Sequence, residues 1–443
     1  MPKQRPDGPD AAESPDSATS GDASGSGVSR RGFFGFAAVG AAGLAIGGAG
    51  GAVTANALGR AAAPASGQQI PFRGAHQAGI VTPAQDRLHF ASFQLLRSTD
   101  RAGLVALLRD WTEAAEQLTR GRDVGETGAV SGPPLAPPED TGEALGLNAA
   151  NLTLTFGFGP GLFESEDGTD RFGIRDRRPA EFEPLPSFAF DLLEPELTGG
   201  DLCVQACADD PQVAVHAIRN LSRIAMGRAR IRWSQLGFGR TASTSTAQDT
   251  PRNLFGFKDG TANLMAEETD ELPRHLWVPE DHPQAWIRGG SYLIARKIAM
   301  TIETWDRASL REQEQIVGRT KGEGGPLSGG GEFDSPNFAA FSSDGGPAIA
   351  VDAHVRLAHP DSNGGVRMLR RGYNYVDGNN PLGQLSAGLF FICFQNDPAT
   401  FVRVQRALKT DTMNEYLRHI GSGIWAVPRG IAAGEFVGQA LFE

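Results

Sequence analysis

What most constrains this 443-residue chain is an order of apolar periodicities that is written twice. Side chains of an extended backbone fall on opposite faces in turn, so alternating or short apolar runs predict strands. Such runs occur at LHFASFQLL (88–96), LTLTFGF (152–158), DLCVQACAD (201–209) and RIRWSQLGF (230–238). Between the first two, Leu104, Leu107, Leu108, Trp111, Ala115 and Leu118 recur at spacings of three and four, one stripe of a helix from about 100 to 119. Ser98, Thr99 and Asp100 offer its N-cap. A second helix is predicted at DPQVAVHAIRNLSRIAM (210–226), so the first half reads β-α-β followed by β-α-β. The second half repeats this with SYLIARKIAMTI (291–302), a helix over 305–317, HVRLAHP (354–360), RMLRRGYNYV (367–376), GLFFICFQND (388–397) and a helix over 398–409. Two split β-α-β units predict an α+β protein of two ferredoxin-like domains with antiparallel sheets. Their expected bounds are 66–255 and 256–443, behind a leader at 1–65. A chain of this length exceeds what one core ordinarily serves, which agrees with two domains.

The leader has its own grammar. Its first 28 residues, rich in Ser, Gly, Asp and Pro, hold too little apolar surface to fold, and disorder is expected. Ser29, Arg30, Arg31, Gly32, Phe33 and Phe34 then set a twin-arginine pair before an apolar stretch, Phe36 to Ala57, made largely of Ala and Gly. This pattern is that of a Tat export signal, which implies the Tat machinery as a partner and an extracellular or periplasmic destination. A membrane anchor is the alternative, but the Gly and Ala content makes the stretch weakly hydrophobic. Small residues at Ala61 to Ala65 offer A-x-A cleavage sites.

The charge of −11 and the lack of any Lys/Arg run argue against a nucleic-acid partner. Residues 1–65 carry as many basic as acidic groups, so cleavage leaves that charge unchanged. Cys203, Cys207 and Cys393 are too few for a disulfide framework, and a single CxxxC lacks the second pair of a zinc site. The first two share one face of a predicted strand, where buried thiols are expected. KGEGGPLSGGGEFDSPN (321–337) has neither GK[ST] nor GxGxxG between a strand and a helix and is expected to be a loop rather than a phosphate cradle. A homo-oligomer is compatible with the sequence.

LFGFKDGTAN (254–263) places Asp259 at a glycine-bracketed turn, where Asp-Gly is first of all turn chemistry. His354 and His359 are five apart, on opposite faces of a strand and well separated around a helix, so they do not suit one metal ion together. A lone histidine is most often structural, unless the ligand is a haem iron, which needs a single axial imidazole.

GFKDGTAN (256–263), AHVRLAHP (353–360) and LRRGYNY (369–375), in this order behind a twin-arginine leader, resemble the dye-decolourising haem peroxidases, and among them the exported subgroup that includes deferrochelatase-type proteins. The resemblance spans most of 66–443. It implies two ferredoxin-like domains enclosing one haem b per chain, with Asp259 as distal aspartate, Arg370 as distal arginine and His354 as proximal iron ligand. Further haem contacts are implied at Gly260, Thr261 and Ala262, at His359, Pro360 and Asp361, and at Arg370. The segment AHPDSNGG (358–365) departs from the pattern, being shorter and carrying a histidine where relatives often have asparagine.

The implied activity is reduction of hydrogen peroxide with oxidation of bulky one-electron organic donors such as dyes or phenolics. The residue chemistry agrees. Asp259 can move a proton between the two peroxide oxygens, and Arg370 stays charged at any working pH. A carboxylate is still ionised in acid where an imidazole would be protonated, so an acidic optimum is expected. Arg371 is the neighbour expected to point away, since consecutive strand residues face opposite sides. The second nitrogen of His354 should find a carboxylate, for which Asp411 and Glu415 are the candidates. Trp425, Tyr416 and Trp277 are candidates for relaying electrons to the surface. A haem-handling protein that releases iron from haem is the competing function, and a binding module using a cleft between two ferredoxin-like domains is a third.

Overall fold

The computed structural model describes residues 69–165 and 167–443, so the leader and its twin-arginine motif lie outside the described residues. The first half contributes β1 (Arg87–Leu95), β2 (Thr153–Phe158), β3 (Leu202–Ala208) and β4 (Ala229–Arg240), with helices α1 (Arg101–Leu118) and α2 (Pro211–Ile224). The second contributes β5 (Ser291–Met300), the two-residue β6 (Leu369–Arg370), β7 (Tyr373–Asn379), β8 (Leu385–Gln395) and β9 (Leu417–Val427). The four strands of the first half lie in the order β2-β3-β1-β4, and those of the second, counted without the two-residue β6 that also pairs with β8, in the order β9-β5-β8-β7. Both are the same permutation, the central pair being the first and third strands of the half, and all pairings within them are antiparallel. The chain therefore consists of two ferredoxin-like halves.

Side-chain alternation sorts the core. Leu88 and Phe90 of β1 meet Phe390, Ile392 and Phe394 of β8 in a cluster that also buries Cys203, Cys207, Trp233 and Trp425. The two sheets join through β2–β9 and β4–β7, and with β5–β8 pairing they close a ring around this cluster. On the other face of β1, Ala91, Phe93 and Leu95 pack against the stripe of α1 and against α2. Each Leu of that stripe, fully buried, contributes about 1.5–3 kcal/mol. The Asp100 side chain caps α1 through Gly103 N, at 2.8 Å. Asp210-Pro211 opens α2 and Asp397-Pro398 opens the helix Pro398–Ala407, each Asp accepting from the backbone N–H groups that the first turn leaves free. The same dipeptide thus follows the third strand of each half.

Four features differ from the sequence expectations. HVRLAHP (354–360), set among the extended runs, forms the short helix His354–Ala358. The helix expected over 305–317 is two pieces, Ile302–Trp305 and Leu310–Val317, the second with its own cap at Ser309. RMLRRGYNYV is broken into β6 and β7 at Arg371-Gly372. β9 was not anticipated: Gly421 and Gly423 interrupt its alternation, and a Cβ on Gly423 would lie 2.1 Å from the Trp425 ring. The three cysteines are free and buried, as expected, and 321–337 is an irregular loop.

Candidate active site

In the first half, α1 and α2 fill the space over their sheet with Leu and Trp side chains. In the second, the corresponding space is a cavity. Arg296, Ile298 and Met300 from β5 and Leu389 and Phe391 from β8 line its sheet side. These are the residues that period-two alternation turns away from the ring interior, where Ala295, Phe390 and Ile392 point. Phe401, Val404 and Leu408 close it from the helical side.

Asp259, His354 and Arg370 all reach this cavity, and so do Gly260, Thr261, Ala262, His359 and Pro360. Asp361 does not; its side chain is 75 % exposed, 3.5 Å from the imidazole of His359. The tightness of the turn explains the glycines around Asp259. Gly260 has φ +82°, and a Cβ there would stand 2.7 Å from the Cα of Ala242. The Asp259 N–H donates to Pro251 O at 3.0 Å. Its carboxylate is held from both oxygens: Oδ1 accepts from Arg370 Nη1 at 3.3 Å and Oδ2 from Asn253 Nδ2 at 3.2 Å.

Arg370 is aimed by its backbone. Asn263, 3 % exposed, accepts the Arg370 N–H on Oδ1 at 2.7 Å and donates from Nδ2 to Arg370 O and Ser243 O, each at 2.8 Å. A side-chain amide thus substitutes for a neighbouring strand where β6 is only two residues long. Arg371 points the opposite way, fully buried, donating to Thr82 O, Ile80 O and Gln85 Oε1. Sequence reasoning assigned no role to Asn263. Its one signal is an amide inside the GFKDGTAN motif.

His354 opens the five-residue helix His354–Ala358. Its Nδ1 lies 2.6 Å from Asp411 Oδ2, which fixes the proton on Nδ1 and leaves the Nε2 lone pair for the cavity. Glu415, the other carboxylate considered, is not its partner. Asp411 is itself held, accepting from Met413 N at 2.8 Å. Burial pulls the His354 pKa down, but Asp411 outweighs it and the net shift is upward; the charges of Asp259 and Arg370 also act on the ring, with opposite signs. The His354 side chain keeps 35 % of its surface accessible, and it lines the same cavity as Asp259 and Arg370.

Arg296, 1 % exposed, is neutralised by Asp191 from the first half, and its Nε donates to His419 Nδ1 at 3.3 Å. Burial and that guanidinium push His419 down to about 3, so it is a neutral acceptor on the wall. Among the described residues no three His, Cys, Asp or Glu side chains cluster to hold an ion by themselves. A lone imidazole backed by a carboxylate, among apolar walls, suits an iron that already carries four porphyrin nitrogens.

Two family models match the chain: "Dyp-type peroxidase, N-terminal" over residues 77–239 and "Dyp-type peroxidase, C-terminal" over residues 250–432. Curated relatives include the deferrochelatase of Escherichia coli (strain K12), 38 % identical over 398 residues, covering 88 % of this chain and 91 % of the relative. The deferrochelatase of Yersinia pestis is 38 % identical over 384 residues, 85 % of each chain. Among solved structures, ferric DtpA from Streptomyces lividans superposes with a TM-score of 0.77 at 39 % identity, covering 85 % of this chain and 98 % of that one. A DyP-type peroxidase from Cellulomonas bogoriensis gives 0.75 at 39 % identity, covering 85 % and 99 %.

Proposed function

The chain belongs to the Dyp-type peroxidase family, and from that membership we propose that it is a haem peroxidase in which His354 ligates the iron and Asp259 and Arg370 handle hydrogen peroxide. The observation that carries this reading is the pairing of Asp259 with Arg370 in the same cavity as an imidazole whose Nδ1 is committed to Asp411. Gly260, Thr261, Ala262, His359 and Pro360 would hold the edges of one haem b. When bound, the haem supplies a ferric site for a peroxide oxygen and accepts the oxidising equivalents that later pass to an organic donor.

The rest is the work of the chain's own side chains. Asp259 takes the proton from one peroxide oxygen and returns it to the other, so that water is the leaving group. Asn253 keeps Oδ2 of Asp259 oriented, and Oδ1 is free to leave its 3.3 Å contact with Arg370 for the incoming proton. Arg370 stabilises the anionic peroxide and the charge that develops as the O–O bond breaks, at no reorganisation cost because Asn263 has already set its backbone. Asp411 raises the basicity of His354 and fixes its ring.

Deferrochelatase relatives at 38 % identity favour a second reading, in which iron is released from haem. Incubation of the purified protein with haem, with and without peroxide, separates the two. Dye bleaching that requires peroxide, without accumulation of iron-free porphyrin, is expected; porphyrin appearing without bleaching would make haem handling the function.

The division at 66–255 and 256–443 is part of the proposal, supported by the family matches that change over between 239 and 250. So is export by the Tat route, supported by Arg30 and Arg31 ahead of the Phe36 to Ala57 stretch. Arg30→Lys with Arg31→Lys is expected to strand the precursor in the cytoplasm, read by fractionation and immunoblot. Undiminished secretion would refute the Tat assignment and leave the chemistry untouched.

A further inference from the structure

The glycine-rich loop 321–337 takes no part in the chemistry above, yet it is tied to the turn that carries Asp259. Arg252 donates to Gly256 O at 2.7 Å, to Lys321 O at 2.6 Å and to Gly322 O at 2.7 Å. Arg319 donates to Gly324 O at 2.7 Å and Glu332 O at 2.8 Å. The close turns of the loop require glycine: a Cβ on Gly325 would stand 2.4 Å from Gly330 O, and Gly330 has φ +102°.

What the loop delivers is one carboxylate. The side chain of Glu332, 10 % exposed, accepts from Lys258 on one side of Asp259 and from Thr261 Oγ1, at 3.4 Å, on the other. Burial opposes its charge, but Lys258, with Thr250 and Thr261, outweighs that and holds the carboxyl below its usual range.

Lys258 also lines the cavity, one residue from Asp259. Its ammonium is a mobile point charge on a four-carbon stem. Freed from Glu332, it would be attracted to the carboxylate of Asp259, its chain neighbour on the same cavity wall, in competition with Arg370. A protein that needs Asp259 as a proton carrier must keep that ammonium away.

We propose that Glu332 is a positioning residue for the peroxide reaction: by engaging Lys258 and Thr261 it clips both flanks of the Asp259 turn and leaves Arg370 as the cation paired with Asp259. The proposal rests on the roles given above to Asp259 and Arg370, so its test includes Asp259→Asn as a control on that premise.

The experiment compares wild-type holoenzyme, Glu332→Gln, the double variant Lys258→Met/Glu332→Gln, and Asp259→Asn, by stopped-flow reaction with peroxide and by cyanide titration of the ferric haem band. Glu332→Gln is expected to slow the peroxide reaction about 10-fold through misplacement of the proton carrier. It should at the same time bind cyanide more tightly, because a second cation has joined Arg370 in the cavity. Removing the ammonium in the double variant is expected to restore most of both changes. Loss of rate together with weaker cyanide binding and no rescue would mean a loosened turn, and would overturn the proposal. So would a Glu332→Gln enzyme at wild-type rate beside a slow Asp259→Asn. If Asp259→Asn is itself as fast as wild type, the premise falls instead. Should Glu332→Gln load haem poorly, the double variant decides alone: near wild-type rate supports the proposal and a slow enzyme overturns it.

Discussion

His354→Ala is expected to fold and to lose the histidine-ligated ferric spectrum altogether, with peroxidase turnover falling to that of free haem. The magnitude follows from the count of donors. Of the histidines lining the cavity, His354 is the one whose Nδ1 is hydrogen-bonded to a carboxylate, at 2.6 Å, against 3.5 Å from His359 Nδ1 to the exposed Asp361, so nothing of equal basicity replaces it. Folding should survive because the His354–Ala358 helix is short and the His354 side chain keeps 35 % of its surface accessible in the cavity. Removing the ring leaves Asp411 without the Nδ1 donor, a cost of about 1–3 kcal/mol for a buried acceptor, eased by the bond from Met413 N. Absorption spectroscopy of the reconstituted variant, with thermal unfolding as the control, checks both statements. An unchanged spectrum would sink the assignment, and His359, which also lines the cavity, would be next. Against that substitute stands its environment: Nδ1 of His359 accepts from Asp361 N at 3.2 Å, and burial lowers its pKa.

The fold was readable in the sequence wherever one periodicity ran long enough to mark a face. The α1 stripe and the alternation in β1, β3, β5 and β8 placed those elements within three residues, because each has one face or both against a core. β9 escaped because its glycines are chosen for the close approach of Trp425, and a glycine carries no side chain to show a face. The segment at His354 is one helical turn and a fraction, too short to show any period.

The site divides along the same line. Asp259, His354 and Arg370 could be picked out because each stands in a motif, and the structure brings all three to one cavity. Their supports could not. Asn263 acts on Arg370 across 107 positions and Glu332 on Lys258 across 74, and no local pattern marks an amide or a carboxylate that will meet its partner only after folding. Asp411 was a candidate only because a metal-bound imidazole calls for a carboxylate behind it. Trp425, Tyr416 and Trp277, considered as electron relays, are all buried in hydrophobic clusters.

Arg370→Leu is expected to cost more than Asp259→Asn, although the aspartate performs the proton transfer. The two substitutions remove different things. Asparagine keeps the size of the side chain and its bond to Asn253, and deletes only the base, a contribution of about 10²–10⁴ in rate. Water in the cavity can carry part of that proton traffic, so the loss should fall at the lower end. Leucine deletes the cation that, alone among the described residues, pairs with Asp259 in the cavity, along with its hydrogen bonds, and water cannot substitute for a fixed charge. One lost electrostatic donor is worth about 2.7–4 kcal/mol, some 10²–10³ in rate, and here the charge goes with it. The arginine variant should also bind cyanide more weakly, whereas the aspartate variant should bind it at least as well, since a negative neighbour has gone. Both should retain haem, because His354 and Asp411 are untouched. Stopped-flow rates with peroxide and cyanide titrations of the three proteins settle the order. A larger loss in Asp259→Asn would make proton transfer the dominant barrier, and wild-type rates in both would reduce Asp259 to the turn residue that its glycines first suggest.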